Sequence, residues 1–370
     1  VKTNAAILHS VPGQWSIEAV DLADPQEGQL QVEMRCAGLC HSDYHQLKGE
    51  IVPPVFPWCG GHEGSGVVEK VGPGVLGFSV GDHVALSFIP SCGTCRWCAE
   101  GMQNLCDSGA SIMSMNQDRS PMSLNGTPVA QTALVGAFSE HVVVPVESCV
   151  KITSDIPFGP AALVTCGVPT GWGSAVNGAA VAPGDVVIVM GIGGIGINAV
   201  QGARYVGASH VIAVDPVAFK RDTALKLGAN HAFATMDEAT ELARTLTNGQ
   251  GADATIVTVG VLESEDIAVA FSSIRKAGTV VVTALGDMTT MNIPVNLAEL
   301  TLFQKRIQGC LYGMMSPRSA VPRLLQLYQT GDLHLDELIT REYTLDEIND
   351  AYHDLGEGKI IRGVVRFGGR

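Results

Sequence analysis

Four of the ten cysteines crowd into "SCGTCRWCAEGMQNLC", at Cys92, Cys95, Cys98 and Cys106. The C-x2-C-x2-C-x7-C spacing lets four thiolates converge tetrahedrally on one Zn²⁺, with every position filled by protein. A closed site of that kind has no place for water or substrate, so its work would be to staple a lobe at about residues 91–107. Other chemistries also cluster thiols. Iron–sulfur ligands occur as C-x2-C-x2-C, and a redox pair or a zinc ribbon for nucleic acid would need cysteines at short spacing too. Single thiols and imidazoles stand elsewhere: Cys40 in "GLCHSDYH", His62 in "CGGHEGSG" and Cys166 in "LVTCGVPTG". Two Cys and one His drawn from scattered positions form a known catalytic zinc set, in which the fourth position stays open. Singly, a buried Cys is a small hydrophobe, and that plain reading is kept for Cys36, Cys59, Cys149 and Cys310.

A further constellation lies in "VVIVMGIGGIGINAV", where Gly191, Gly193 and Gly196 fit G-x-G-x-x-G with an additional Gly194. It follows a strand-like run and opens a helix-like one, which is where the chemistry needs it. Glycines there permit a tight turn and let backbone N–H groups approach a pyrophosphate at the positive end of the helix. "HVIAVD" then ends in Asp215, 19 positions after Gly196. An acid at about that distance accepts hydrogen bonds from a ribose 2′-hydroxyl and repels a 2′-phosphate, which favours NAD over NADP.

Whole-chain properties limit the function classes. The formal net charge is −14 over 370 residues, so the overall field opposes nucleic acid and anionic membranes. No apolar run is long enough to span a bilayer, and the start "VKTNAAILHS" does not read as a signal peptide. A cytoplasmic location is expected. In a reducing compartment, clustered cysteines point to metal or catalysis before disulfides.

Two rhythms position these residues. "QLQVEMRCAG", "GSGVVEKVGPGV", "GDHVALSF" and "FSEHVVVPV" read as short strands bounded by turns, which predicts a compact, distorted β-barrel or sandwich. From about Asp185, strand-like and helix-like segments alternate through "TVVVTALG", which predicts a parallel sheet covered by helices on both faces. The expected class is α/β, with residues 168–308 as the dinucleotide module and residues 1–167 and 309–370 joined in a second domain.

"GHEGSGVVEKVGPGV", with Gly61, His62, Glu63, Gly66, Gly72 and Val75, resembles the signature of zinc-dependent medium-chain alcohol dehydrogenases. "GLCHSDYH" and "LVTCGVPTGWGSAVN" resemble the same family's other ligand segments, and the likeness extends to "GKIIRGVVRF". The resemblance implies a GroES-like catalytic domain around a Rossmann domain. It implies two Zn²⁺ per chain, one catalytic on Cys40, His62 and Cys166 and one structural on the four clustered thiols, together with NAD. Glu63 would be the carboxylate behind the metal and Asp43 the acid that orients the ligand His. Ser42 and His45 would be the ends of a proton relay, and Phe88 a wall of the substrate pocket. Thr170, Lys220 and Arg362 would contact the nicotinamide side, the adenosine ribose and the pyrophosphate. His41 departs from many members, which carry Arg there; a largely neutral imidazole is a weaker clamp for pyrophosphate. The substrate would be a small alcohol or aldehyde. Members pair as homodimers or homotetramers through edge strands of the cofactor domain, expected here around "TVVVTALG" and "NIPVNL".

Sorbitol and threonine dehydrogenases of the same superfamily usually place Glu where Cys166 stands, so this chain fits them less well. A nearer alternative is a nicotinoprotein, in which NAD stays bound and is recycled in place by a second substrate or electron acceptor. "HSDYHQLKGEIVPPVFPWCGGHEGSG" and the tract from Asp107 to Gly136 are similar to actinobacterial proteins of that kind. A non-enzymatic structural or interaction protein of the same fold is an alternative of another class, but such relatives commonly lack the zinc ligands retained here.

Overall fold

The computed structural model describes residues 1–110 and 120–368. Residues 111–119, within the tract from Asp107 to Gly136, lie outside the described residues. The chain divides into two compact units, Val1–Cys166 with Ser316–Arg370, and Gly167–Met315.

In the first unit the strand Gln29–Gly38 is the hub. It pairs antiparallel with Gly64–Val71, with His141–Pro145 and with the C-terminal strand Arg362–Arg366. Val364 opposite Gly38 and Val365 opposite Ala37 bind the end of the chain to its beginning, which is why the unit is made of two separated stretches. Period-two alternation feeds two cores at once. Ala6 and Leu8 join Leu30, Val32, Met34, Val142 and Val144, while Ala5 and Ile7 join Val20, Cys59 and Val143. A strand between two apolar cores reads as the uninterrupted run "AAIL". Trp15, Phe138 and Tyr352 close the larger core, with ring centroids 5.8–6.2 Å apart. Phe138 also lies against Gly60 and Gly61. A Cβ at Gly61, where φ is +86°, would come within 2.7 Å of it, so only glycine fits before His62.

The second unit is a six-stranded parallel sheet. Its order is His231–Phe233, His210–Val214, Val186–Met190, Ala252–Val257, Ile274–Val282, Arg306–Gly309. In chain order that is 3-2-1-4-5-6, the doubly wound arrangement whose direction reverses between Val186–Met190 and Ala252–Val257. The central strand Val186–Met190 is a nearly continuous β-branched run, and the helices Gly196–Tyr205 and Met236–Leu246 pack on it. "TVVVTALG" contributes to the inner strand Ile274–Val282, and "NIPVNL" forms no strand; the edge is "RIQG", Arg306–Gly309. The resemblance implied the pairing edge there, but a Val-rich sequence suits a strand paired on both sides. Cys310–Met315 also belongs to this unit. Asn177 Nδ2 donates to the Gly313 carbonyl at 2.8 Å, and a Cβ on Gly173 would come within 2.1 Å of that oxygen. Among the described residues no helix is long and apolar enough to cross a membrane.

Candidate functional site

Cys40 stands at the N-terminus of the helix His41–Lys48, and its Sγ lies 3.6 Å from Ser42 Oγ. His62 follows the glycine pair beneath Phe138, and Cys166 closes the first unit after the helix Phe158–Leu163. Drawn from three separate stretches of the sequence, Cys40, His62, Glu63 and Cys166 each offer a donor atom, all within 4.8 Å of one another. Asp43, fully buried, receives the Gly61 N–H on Oδ1 at 3.1 Å and holds His62 Nδ1 at 3.0 Å from Oδ2. With Nδ1 occupied, Nε2 is the nitrogen left to bind a cation. Phe88 meets the His62 ring edge-on at 5.5 Å.

Glu63 is fully buried and its Oε2 accepts from Arg362 Nη2, a guanidinium itself only 3% exposed. A Cβ at Gly38 would collide with this carboxylate, so the hub strand carries glycine where the pair crosses it.

Electrostatics at the cluster are those of a buried anionic donor set. The Cys40 thiol is held well below its ordinary range by its hydrogen bond with Cys166 and, against burial, by the His62 imidazolium. Cys166 is driven up by the same partner and by burial. For His62, burial opposes the charge, but the Asp43 carboxylate and the Cys40 thiolate outweigh it and raise the imidazole. Burial pushes Glu63 up to about 7, with Arg362 pulling the other way. Two thiols, an imidazole and a carboxylate crowded out of water with one guanidinium form a set that a divalent cation would stabilise.

The four clustered thiols also converge, with donor atoms within 4.8 Å of one another. Cys92 Sγ lies 3.9 Å from Cys98 Sγ, and Cys95 Sγ lies 4.0 Å from Cys106 Sγ. Those separations are about twice a disulfide bond and close to the ~3.8 Å edge of a tetrahedron with Zn–S near 2.3 Å. All four are free thiols. Backbone N–H groups of Thr94 and Cys95 point at Cys92 Sγ at 3.4 and 3.3 Å, and that of Cys98 at Cys95 Sγ at 3.5 Å. Thiolates accept such bonds, and Cys92 is accordingly drawn down to about 5, first by the Thr94 N–H.

In the second unit Gly191 has φ +93°, and a Cβ there would press on the Thr258 carbonyl at 2.9 Å. A Cβ at Gly196 would fall 1.8 Å from the Gly191 oxygen, whereas Gly193 has open space beside it. The first and third glycines thus serve the turn and the helix packing, and the middle one leaves room for a pyrophosphate. Gly194 gives its carbonyl to Asn198 Nδ2 at 2.8 Å. Asp215 is 5% exposed, with Oδ2 accepting from Ile192 N–H and Oδ1 from Val217 N–H, both at 2.8 Å. A carboxylate has about four acceptor positions, so it retains capacity for ribose hydroxyls. Lys220 lies on the next helix, Ala218–Lys226, and Thr170 is buried on Gly167–Gly173.

His41 opens the first unit's helix, its ring 5.8 Å from Tyr44 and 6.2 Å from His45. His45 is buried, and its Nδ1 contacts Glu50, which the sequence reading did not single out. The available signal was Gly49 directly after the helix, a residue suited to reverse the chain.

The family profile described as "Alcohol dehydrogenase GroES-like domain" matches residues 26–154, and "Zinc-binding dehydrogenase" matches residues 194–330. The chain is 48% identical over 367 residues to an "NDMA-dependent alcohol dehydrogenase" of Amycolatopsis methanolica, covering 99% of each. It is 47% identical to a "Putative alcohol dehydrogenase D" of Mycobacterium tuberculosis, covering 99% of this chain and 100% of that one. The chain belongs to the zinc-dependent medium-chain alcohol dehydrogenase family. Among solved members, an alcohol dehydrogenase zinc-binding domain protein from Burkholderia ambifaria superposes with a TM-score of 0.93 at 28% identity, covering 100% of both chains. Membership makes this chain an oxidoreductase of the alcohol dehydrogenase class, with a GroES-like and a Rossmann-like part.

Proposed function

We propose that the chain oxidises a small alcohol to its aldehyde, or reduces the aldehyde, by hydride exchange with NAD at a zinc site held by Cys40, His62 and Cys166. The observation that carries this reading is the convergence of those donor atoms beside the Ser42 hydroxyl. Zn²⁺ supplies Lewis acidity that makes an alcohol easier to deprotonate, and the nicotinamide supplies the hydride acceptor. The protein's residues do the rest. Asp43 fixes the tautomer and orientation of His62. Ser42 Oγ takes the hydroxyl proton of the alcohol, and His45 carries it away from the site. Phe88 walls the substrate side, and Arg362 compensates the charge of Glu63 behind the donor set. Cys92, Cys95, Cys98 and Cys106 hold a second Zn²⁺ with a structural role.

Gly167–Met315 is proposed as the cofactor-binding unit, with Gly191, Gly193, Gly194 and Gly196 under the pyrophosphate. Asp215 and Lys220 would hold the adenosine ribose, Thr170 the nicotinamide side, and His41 the pyrophosphate in place of the family's arginine. The paired carboxylate Asp215 disfavours a 2′-phosphate, which supports NAD over NADP. Purified protein is expected to contain about two zinc ions per chain, as such sites fill by tight thiolate coordination. It should also turn over within a panel of primary, secondary and aromatic alcohols. One zinc per chain with no alcohol-dependent turnover would sink the proposal.

A second reading, that the cofactor stays bound and is recycled in place, is favoured by the 48% identity to a relative named as NDMA-dependent. The expected result is NAD(H) co-eluting with the protein through gel filtration, and turnover that requires an artificial electron acceptor instead of added NAD. Loss of the nucleotide on the column would oppose it.

A homodimer or homotetramer through the edge Arg306–Gly309 is supported by apolar side chains in the preceding segment. Met291 is 88% exposed and Leu302 76%, which is costly on a free surface beside an open strand edge. Light scattering should give two or four chains, and a monomer would contradict it.

A further inference from the structure

The proton path proposed above ends, as far as the sequence indicates, at His45. That side chain is only 4% exposed and so does not itself meet bulk water. Its Nδ1 lies 2.5 Å from Oε2 of Glu50, whose side chain is 41% exposed. The contact is built into the backbone. The helix His41–Lys48 stops at Gly49, in the left-handed region at φ +76°, and the chain turns back on itself. The N–H groups of Glu50 and Ile51 both donate to the His45 carbonyl, at 2.9 and 3.2 Å. Residue 50 is thereby locked beside residue 45, one carboxylate oxygen on the ring and the group as a whole open to solvent.

We propose that Glu50 is the proton outlet of this site: it fixes His45 with the proton on Nδ1 and exchanges that proton with water. The inference rests on the alcohol dehydrogenase reading and on the proposed role of His45. A carboxylate on Nδ1 stabilises the Nδ1–H tautomer and leaves Nε2 as the basic nitrogen. A proton arriving from the site forms an N–H bond at Nε2. The Nδ1–H bond then breaks, with its electron pair left on nitrogen, and the proton moves to Glu50 Oε2. Glu50 releases it to water and is again a carboxylate. Proton uptake by the reverse path in the reducing direction restores the starting tautomer; in repeated oxidation the ring restores it by losing the Nε2 proton and regaining one at Nδ1 through exchange with water. The His41 ring lies 6.2 Å from the His45 ring. The helix Ile348–Gly356, packed on the same element, brings Tyr352 against Tyr44.

The test compares the holoenzyme with Glu50→Gln, Glu50→Ala and Glu50→Asp variants, all at an exposed position that tolerates them. Turnover is measured in dilute buffer, then with added imidazole as a small diffusible base, together with solvent and substrate deuterium effects. Glu50→Gln and Glu50→Ala should lose roughly tenfold in dilute buffer. Their solvent isotope effect should rise and their substrate isotope effect fall, because proton release has become limiting, and imidazole should restore the rate. Glu50→Asp should keep most of the parent rate. Parent-like rates in Glu50→Gln and Glu50→Ala, or a loss that imidazole does not relieve and that leaves both isotope effects unchanged, would overturn the proposal. A parent enzyme without turnover on any alcohol would instead overturn the reading beneath it.

Discussion

Cys40→Ala should leave a folded protein with one zinc ion per chain fewer and almost no alcohol turnover. Lewis-acid stabilisation of developing charge is worth several kcal/mol. At about 1.36 kcal/mol per tenfold, losing about 4 kcal/mol lowers the rate by about 10³-fold. The fold should survive because Cys40 precedes its helix and the core around it is carried by Leu39, Met34, Phe138 and Tyr352, which the substitution leaves in place. The checks are metal content, far-UV circular dichroism and initial rates with the alcohol that the parent uses best. A Cys40→Ala protein with near-parent rates and unchanged zinc would show that Cys40 is not a catalytic ligand.

Cys92→Ala should do the reverse. Its sulfur receives two backbone N–H groups and stands 3.9 Å from Cys98 Sγ, with no substrate-binding side chain among these contacts. Removing it takes one of four donors from a site whose binding energy is folding energy. A loss of at least ~2 kcal/mol corresponds to a fall of about 4–8 °C in unfolding midpoint for a domain of 150–250 residues. The lobe also reaches the C-terminal stretch of its unit, since Ser316 donates to Gln103, so loosening it should spread beyond residues 91–107. Turnover per folded chain at low temperature should stay within about twofold of the parent, as expected of a change remote from the reacting atoms. A parent-like midpoint with turnover abolished would exchange the roles assigned to the two thiol sites.

Much of this was legible in the residues because local chemistry dictates local geometry. The glycine turn is one case: Gly191 needs a positive φ and Gly196 cannot carry a Cβ, so the pattern and its structure are nearly the same statement. The thiol lobe is another, since its four donors lie within one short stretch. Long-range pairings were not legible. Arg362 and Glu63 meet from positions 299 residues apart, through the register of Arg362–Arg366 on Gln29–Gly38. Nothing local to "KIIRGVV" specifies that register. The sheet edge was missed for a similar reason: a Val-rich run records burial on two faces, while the open edge "RIQG" is polar and short, as edges commonly are. Glu50 escaped notice because a single acid after a glycine has no pattern until the turn brings it back to His45.

The most direct measurement is anomalous diffraction at the zinc edge from crystals of the purified protein, without and with an alcohol-like inhibitor. Two peaks per chain are expected. One should lie among Cys92, Cys95, Cys98 and Cys106, and the other should be bonded to Cys40, His62 and Cys166 with its remaining position taken by solvent or inhibitor. Absence of the second peak, or a zinc ion sealed by Glu63 as a fourth ligand in both crystals, would contradict the account.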